Sequence, residues 1–344
     1  MLRSGGYGRI IIMSKDRSAP STVGVVVIGR NEGERLERCL ASLSSSIGRL
    51  VYVDSGSSDA SVPKADALGA EVVQLDMRTP FTAARARNEG FRRLLQLEPH
   101  LTYVFFVDGD CEVVHGWIDE AARLLDSRPS AAVVWGRRRE RHPHRSVYNL
   151  LCDIEWDSAP VGETRACGGD AVMRIDAFRE VNGFRADLIC GEEPELCARL
   201  RQAGWHIWHL PQDMTIHDAG MYHFAQWWKR MVRVGYGYAM FRRLESVASD
   251  PQWVDRSRGS WIWAAAVPAI ILALSLGFGW QAMWLLGVYP LQVLRLAIRG
   301  KRSAPENWSR AVALVLGKFP EMHGQLKFLL DRHRGVRSGL IEYK

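Results

Sequence analysis

Residues 103–110 read Tyr103-Val104-Phe105-Phe106-Val107-Asp108-Gly109-Asp110: an unbroken apolar run, then two carboxylates separated by a glycine. A short apolar run without polar alternation is the pattern of a strand covered on both faces, as in a largely parallel sheet. The acidic turn falls where such sheets place their ligands, just beyond the carboxyl ends of the strands. Two carboxylates so spaced suit one hard divalent cation, and the glycine lets a ligand approach the backbone. A turn that only reverses the chain has the same composition.

The same pattern extends outward. Val23–Ile28, Leu50–Val53, Glu71–Gln74 and Ala131–Trp135 read as further strands, separated by helical stretches at Glu34–Leu43, Ala83–Leu97 and Trp117–Leu125. This alternation predicts an α/β domain over residues 22–240, Rossmann-like, with a mostly parallel sheet and helices on both faces. The other strand ends carry Asn31-Glu32 and Asp54-Ser55-Gly56-Ser57-Ser58-Asp59. The Asp54 loop suits hydrogen bonding to a nucleobase or ribose, and equally suits capping of the next helix through Ser57 or Asp59. On the helix ahead of the acidic strand, Arg87 with Asn88 beside it is placed to reach phosphates, whereas Arg85 is expected on a solvated face.

Further along, Cys167-Gly168-Gly169-Asp170-Ala171 is a small-residue segment that either lets an acceptor approach the backbone or turns into a helix. Gly191-Glu192-Glu193-Pro194-Glu195 opens another helix, with Pro194 at an early position. Its acidic residues complement the helix dipole, and one carboxylate facing a cleft would accept a proton from an attacking hydroxyl. His217 gains meaning as a ligand only if Asp110 is near it. Gln226-Trp227-Trp228-Lys229-Arg230 joins aromatic faces to cations, as a sugar and phosphate site or a membrane interface would. Arg137-Arg138-Arg139-Glu140-Arg141 reads as a solvated or lipid-facing loop.

The 344 residues are 47% hydrophobic, which excludes disorder as the default, and the net charge of +7 points to an acidic partner without choosing nucleic acid, phosphorylated substrate or anionic lipid. Six dispersed cysteines form no secretory framework and read as reduced thiols. Residues 1–21 read as a flexible tail without a cleavable leader, with Met13 as an alternative start. Residues 259–294 contain no charge over about thirty-five positions, where one membrane span needs roughly 20. Gly277-Phe278-Gly279 divides this stretch, so residues 259–299 are expected to form a membrane hairpin, crossing or dipping, with Trp261 and Trp263 at one interface and Trp280 and Trp284 at the other. Basic residues flank both ends and avoid the central turn, which puts both termini, and with them the domain of residues 22–240, on the cytoplasmic side of a cell inner membrane. Residues 300–344 read as an amphipathic cytoplasmic segment whose helix, Trp308 to Leu330, lies on the membrane or packs on the preceding domain.

Taken in order, these pieces resemble the family 2 glycosyltransferases, whose catalytic domain has the GT-A fold; the likeness covers roughly residues 22–237. Val25 to Glu32 looks like the family's opening strand, Val53 to Asp59 like its nucleotide loop, and Ala86-Arg87-Asn88-Glu89-Gly90 like its donor-side helix. The resemblance implies an inverting enzyme that takes a sugar from a nucleotide-sugar donor to a lipid-linked or saccharide acceptor, with a divalent metal (Mn2+ or Mg2+) and no nucleic-acid partner. It implies donor binding by Asn31, Glu32, Asp54, Ser55, Arg87, Asn88 and Asp108, metal binding by Asp108, Asp110 and His217, and acceptor binding by Gly168, Gly169, Asp170, Gln226 and Arg230. Glu193 stands where the family has its catalytic base, in a Glu192-Glu193 pair replacing Glu-Asp, and Glu192 is the alternative base. Ser55 replaces the second of two adjacent aspartates, and the Gln226–Arg230 segment matches the Gln-x-x-Arg-Trp motif of processive synthases only in part, which favours single addition. A sugar nucleotidyltransferase, without the Gly-rich loop such enzymes carry, and a non-catalytic nucleotide-sugar sensor are the rival readings.

Overall fold

The computed structural model describes residues 22–43, 47–248 and 250–335, so the tail expected at residues 1–21 lies outside the described residues. Among them, nine strands form one sheet: β1 (Val23–Gly29), β2 (Arg49–Asp54), β3 (Glu71–Gln74), β4 (Tyr103–Asp108), β5 (Cys111–Val113), β6 (Ala131–Glu140), β7 (Gly162–Thr164), β8 (Ala171–Arg174) and β9 (His206–His217). Their order is β3-β2-β1-β4-β8-β6-β9-β5, with β7 paired to β9. Side chains alternate across it: Val25, Val27, Tyr103, Phe105 and Val107 enter one buried apolar layer, and Val26, Val104 and Phe106 the other. Burial on both faces accounts for the unbroken apolar run that ends in Asp108.

From β3 to β4 the strands are parallel, as the alternation predicts. Beyond β4 the sheet is mixed: β8 runs against β4 and β6, and β5 and β7 run against β9. The strands responsible are only three or four residues long, too short to show a period in sequence. The expectation of a solvated or lipid-facing loop at Arg137–Arg141 is corrected, because β6 continues through Glu140. Each arginine there finds a carboxylate, with Arg137 on Asp157 at 3.2 Å, Arg138 on Asp170 at 2.8 Å and Arg139 on Asp153 at 3.0 Å.

The apolar stretch forms the expected pair of helices, beginning earlier than the sequence suggests. Pro251–Phe278 and Trp280–Ile298 are long and apolar enough to cross a membrane by length and composition, and little of either is buried. The first widens into a π-turn at Ile262–Ala266 just ahead of Pro268, whose missing N–H breaks the regular ladder. Gly279, at φ 95°, separates the two helices. The C-terminal segment divides at Gly317 into helices Ala304–Leu316 and Lys318–His333.

The last of these packs on the Phe224–Phe241 helix. A Cβ on Gly324 would lie 2.0 Å from the Val232 carbonyl oxygen, and one on Gly235 1.9 Å from the Glu321 carbonyl oxygen. Backbone meets backbone there, so no rotamer change can relieve a methyl group. Gly324→Ala is expected to force the helices apart and lower stability by about 1–3 kcal/mol. Gly259→Ala, with nothing within 4 Å of the new methyl, should leave the thermal midpoint unchanged or slightly raised.

Candidate active site

The ends of β1, β2 and β4 bring their polar loops together. Gly109 N–H donates to the Ile28 carbonyl at 2.8 Å, fixing the acidic turn against the end of β1. Asn31 N–H donates to Ser57 Oγ at 2.9 Å, and Ser58 N–H to Asn31 Oδ1 at 2.8 Å, so the loops after β1 and β2 are zipped. Asp54 turns its carboxylate inward: Oδ2 accepts from the Gly56 and Ser57 N–H groups at 3.0 Å each, and Oδ1 from the Tyr52 hydroxyl at 3.2 Å. Asp59, not Ser57, bonds the first turn of the next helix. Ser55 Oγ is buried without a partner among the described residues, and Glu32 pairs with Arg35 at 2.8 Å.

Arg87 occupies the centre. It lies on the buried face of the helix Ala83–Leu97, whose first turn is capped by the Thr82 side chain. Its Nη1 donates to Glu192 at 2.8 Å and Glu193 at 3.1 Å, and its Nη2 to Asp108 at 2.9 Å. The acidic turn and the carboxylate pair at the start of the helix Glu192–Gln202 therefore converge on one guanidinium. Burial alone would lower the Arg87 pKa; Asp108, Glu193 and Glu192 more than reverse this and hold it above its usual value. For Asp108 burial acts upward, and Arg87 with Arg138 outweighs it, leaving the carboxyl below its ordinary range. Arg87→Met leaves these carboxylates buried without their partner and is expected to cost about 3–5 kcal/mol in thermal or urea unfolding. Arg87→Lys should recover little, because a point charge cannot fork between three carboxylates.

Register supplies the second cluster. Cys111 of β5 pairs with His217 of β9, which carries the preceding residue Asp110 to His217: Asp110 Oδ2 lies 3.2 Å from His217 Nε2. Ligand atoms of Asp110, Cys111 and His217 lie within 4.8 Å of one another, as do those of Asp108, Cys111 and Asp170. Burial, reinforced by Asp170, raises the Cys111 pKa well above that of an ordinary thiol, so carboxylate oxygens and an imidazole nitrogen are the readier donors here. That set suits Mn2+ or Mg2+ better than a thiolate-seeking metal. Arg87 and Arg138 pair with Asp108, Asp170, Glu192 and Glu193, and Asp110 adds a fifth carboxylate beside His217, a concentration of negative charge that a divalent cation would complement. Asp108 itself is engaged by both arginines, so Asp110 and His217 are the better-placed pair.

Several expected site residues hold the structure instead. Asp170 is fully buried, receiving the Asp108 N–H at 3.1 Å, the Thr215 hydroxyl at 2.8 Å and Arg138 at 2.8 Å, and so anchors Asp108 at the border of the cavity. Asn88 exchanges two bonds with the Phe184 backbone, at 2.7 and 3.0 Å. Gln226 caps its helix, accepting from the Tyr222 and His223 N–H groups and donating to the Gly220 carbonyl. In each case the amide has its partners in the backbone, so a donor role for Asn88 and an acceptor role for Gln226 find no support. Gly168 and Gly169 do face the cleft. A Cβ on Gly169 would lie 2.9 Å from Arg87 Nη2 and 3.3 Å from both Asp108 Oδ2 and Glu193 Oε1.

A cavity of about 420 Å³ adjoins these groups, lined by Gly168, Gly169, Glu192 and Glu193 on one side and by Arg230 and Tyr238 on another. Glu193 is the more open of the pair, its side chain 15% exposed against 5% for Glu192. Burial first, then the Glu192 charge, push its carboxyl up to about 7, with Arg87 opposing only in part. Sequence reasoning missed Arg138, which bridges Asp108 (3.4 Å) and Asp170 and lies 5.6 Å from the Trp156 ring centre. The absence of a Pro, Asn or Asp turn signal between Gly136 and Arg141 was the clue that the strand ran on.

Residues 24–181 match the family model of glycosyl transferase family 2. The chain is 29% identical over 217 residues to the pre-mycofactocin glycosyltransferase of Mycobacterium tuberculosis, covering 58% of this chain and 44% of that relative, so it spans under half of that protein's length. It is 23% identical over 267 residues to the O-antigen chain rhamnosyltransferase RfbN of Salmonella typhimurium, covering 68% of this chain and 82% of that one. In fold it is similar to the mannosyltransferase PcManGT from Pyrobaculum calidifontis, solved with GDP-Man and Mn2+, with a TM-score of 0.63 at 18% identity over 91% of this chain and 90% of the other. Each of these likenesses is to a glycosyltransferase, which favours that reading over the nucleotidyltransferase and the sensor. Residues 24–181 thus form a glycosyl transferase family 2 domain, in a chain whose fold is that of the GT-A glycosyltransferases.

Proposed function

We propose that the chain is an inverting enzyme acting at the cytoplasmic face of a membrane, adding one sugar from a nucleotide-sugar donor to a lipid-linked or polysaccharide-precursor acceptor. The observation that carries this reading is the convergence of Asp108, Glu192 and Glu193 on Arg87, beside Asp110 and His217 and at the edge of one cavity. Glu193 takes the proton of the acceptor hydroxyl as its oxygen bonds to the anomeric carbon and the bond to the donor diphosphate breaks on the opposite side. Asp110 and His217, with Asp108, would hold Mn2+ or Mg2+, which supplies positive charge to the departing diphosphate. Arg87 keeps Glu192 and Glu193 in place, and Asp170 fixes the backbone of Asp108. Asn31, Glu32 and Ser55 line the loops where the nucleotide would lie, and Asp54 shapes that loop from within.

Membrane action is supported by the two exposed apolar helices, where Leu276 and Phe278 are each 81% exposed and Trp284 is 78% exposed. A thermal-shift screen of nucleotide sugars with and without Mn2+ is the direct test. One donor should raise the midpoint only when metal is present, and transfer from that donor to a membrane extract should give a product of inverted anomeric configuration. Retention of configuration, or stabilisation by no donor, would end this reading.

A further inference from the structure

The cavity beside Glu193 has walls of opposite character. Asp170, Glu192 and Glu193 come from the sheet end and the helix Glu192–Gln202. Facing them, the helix Phe224–Phe241 contributes Arg230 and Arg233, three residues apart and so on one helical face, and the helix Pro251–Trp261 contributes Arg256. The carboxylate among these three arginines in the cavity wall is Glu155, gripped by Arg230 through two bonds of 2.7 and 2.9 Å. Three guanidiniums and the Glu155 carboxylate thus share the lining on this side of the cavity. Arg233 also donates to the Ile189 carbonyl at 3.4 Å, and Arg256 lies 5.6 Å from the centre of the Trp253 ring.

Position adds a second observation. Trp253 and Arg256 belong to the helix that continues without a break into the apolar stretch ending at Phe278. The basic wall is therefore at the foot of the apolar hairpin, while the opposite wall holds the carboxylate proposed as base. A site reading only a neutral sugar would have no use for three guanidiniums, whose planar N–H forks match phosphate oxygens. The volume of about 420 Å³ falls within the range of roughly 300–1,000 Å³ usual for ligand pockets.

We propose that Arg230, Arg233 and Arg256 bind the phosphate or diphosphate that joins the acceptor to its lipid, so that the acceptor hydroxyl is presented to Glu193 while the hydrocarbon follows the Pro251–Phe278 helix. This inference rests on the reading of the chain as a glycosyltransferase with a lipid-linked acceptor, and names the group by which that acceptor is recognised.

The test uses the full chain in detergent with farnesyl diphosphate as probe, in excess EDTA so that no metal at Asp110 and His217 can attract the diphosphate. Farnesyl diphosphate should bind at least ten-fold more tightly than farnesol, and should resist competition by an equal concentration of inorganic pyrophosphate. Binding should weaken at least ten-fold in Arg233→Gln/Arg256→Gln, and Arg233→Lys/Arg256→Lys should recover part of it, which separates loss of charge from loss of fold. Equal binding of farnesol, or unchanged binding in the Gln pair, would overturn the proposal by showing capture of the chain alone. Competition by pyrophosphate as effective as by the lipid would overturn it too, marking a site for diphosphate free of lipid. Binding as expected from a protein that transfers no sugar would instead refute the proposed function and leave this site standing. Transfer with no farnesyl diphosphate binding would do the reverse.

Discussion

Asp110→Asn is expected to lower sugar transfer by about a thousand-fold, equivalent to about 4 kcal/mol of transition-state stabilisation, while leaving the thermal midpoint of the protein near its starting value. Asp110 is 8% exposed, and its Oδ2 lies 3.2 Å from His217 Nε2. Replacing a carboxylate by an amide of the same shape keeps the volume and much of the hydrogen bonding, so the fold has little reason to respond. A divalent cation does respond, because the amide oxygen carries no net charge and the neighbouring Asp108 carboxylate is already engaged by Arg87 and Arg138. Mn2+ titration by calorimetry should show weakened binding in parallel with the lost activity. Asp108→Asn makes the contrast: it also removes the partner of two buried guanidiniums, and should lose stability as well as activity. If Asp110→Asn kept both its Mn2+ affinity and its turnover, the metal reading of this turn would be wrong.

Legibility in the sequence followed the length and regularity of the elements. Tyr103–Asp108 and Ala83–Leu97 were readable because each shows a sustained pattern, apolar on both faces for one and helical for the other. Asp108, Asp110 and Glu193 were readable because they stand directly after a strand or open a helix. His217 was readable only conditionally, since a register pairing between β5 and β9, invisible in a three-residue strand, is what brings it to Asp110. Three of the expected site residues share one trait. Polar side chains at Asn88, Asp170 and Gln226 look like ligand groups until the backbone that engages them is known, and such partners lie far off in sequence: Asn88 meets Phe184, and Asp170 meets Thr215. Arg138 failed the other way, because a cluster of arginines suggests solvent unless the carboxylates opposite each one are in view.

Glu193→Gln should lower transfer by about 10²–10⁴-fold, and the pH dependence of the unaltered protein should explain why. A carboxylate base at its ordinary pKa of 4.5 would leave the rate flat across the neutral range. Burial and the neighbouring Glu192 charge push Glu193 up to about 7, so kcat/KM should fall about ten-fold per pH unit below that value and level off above it. Stability should move the other way. With its pKa raised on folding, Glu193 binds its proton more readily in the native state between about 4.5 and 7, so its contribution to stability is lost as pH rises through that window. Glu193→Gln should therefore be inactive yet at least as stable as the parent at pH 8. Glu192→Gln decides between the two glutamates. Removing the like charge that helps raise Glu193 should shift the acid limb toward lower pH with turnover retained, whereas loss of turnover with the limb unmoved would transfer the role of base to Glu192.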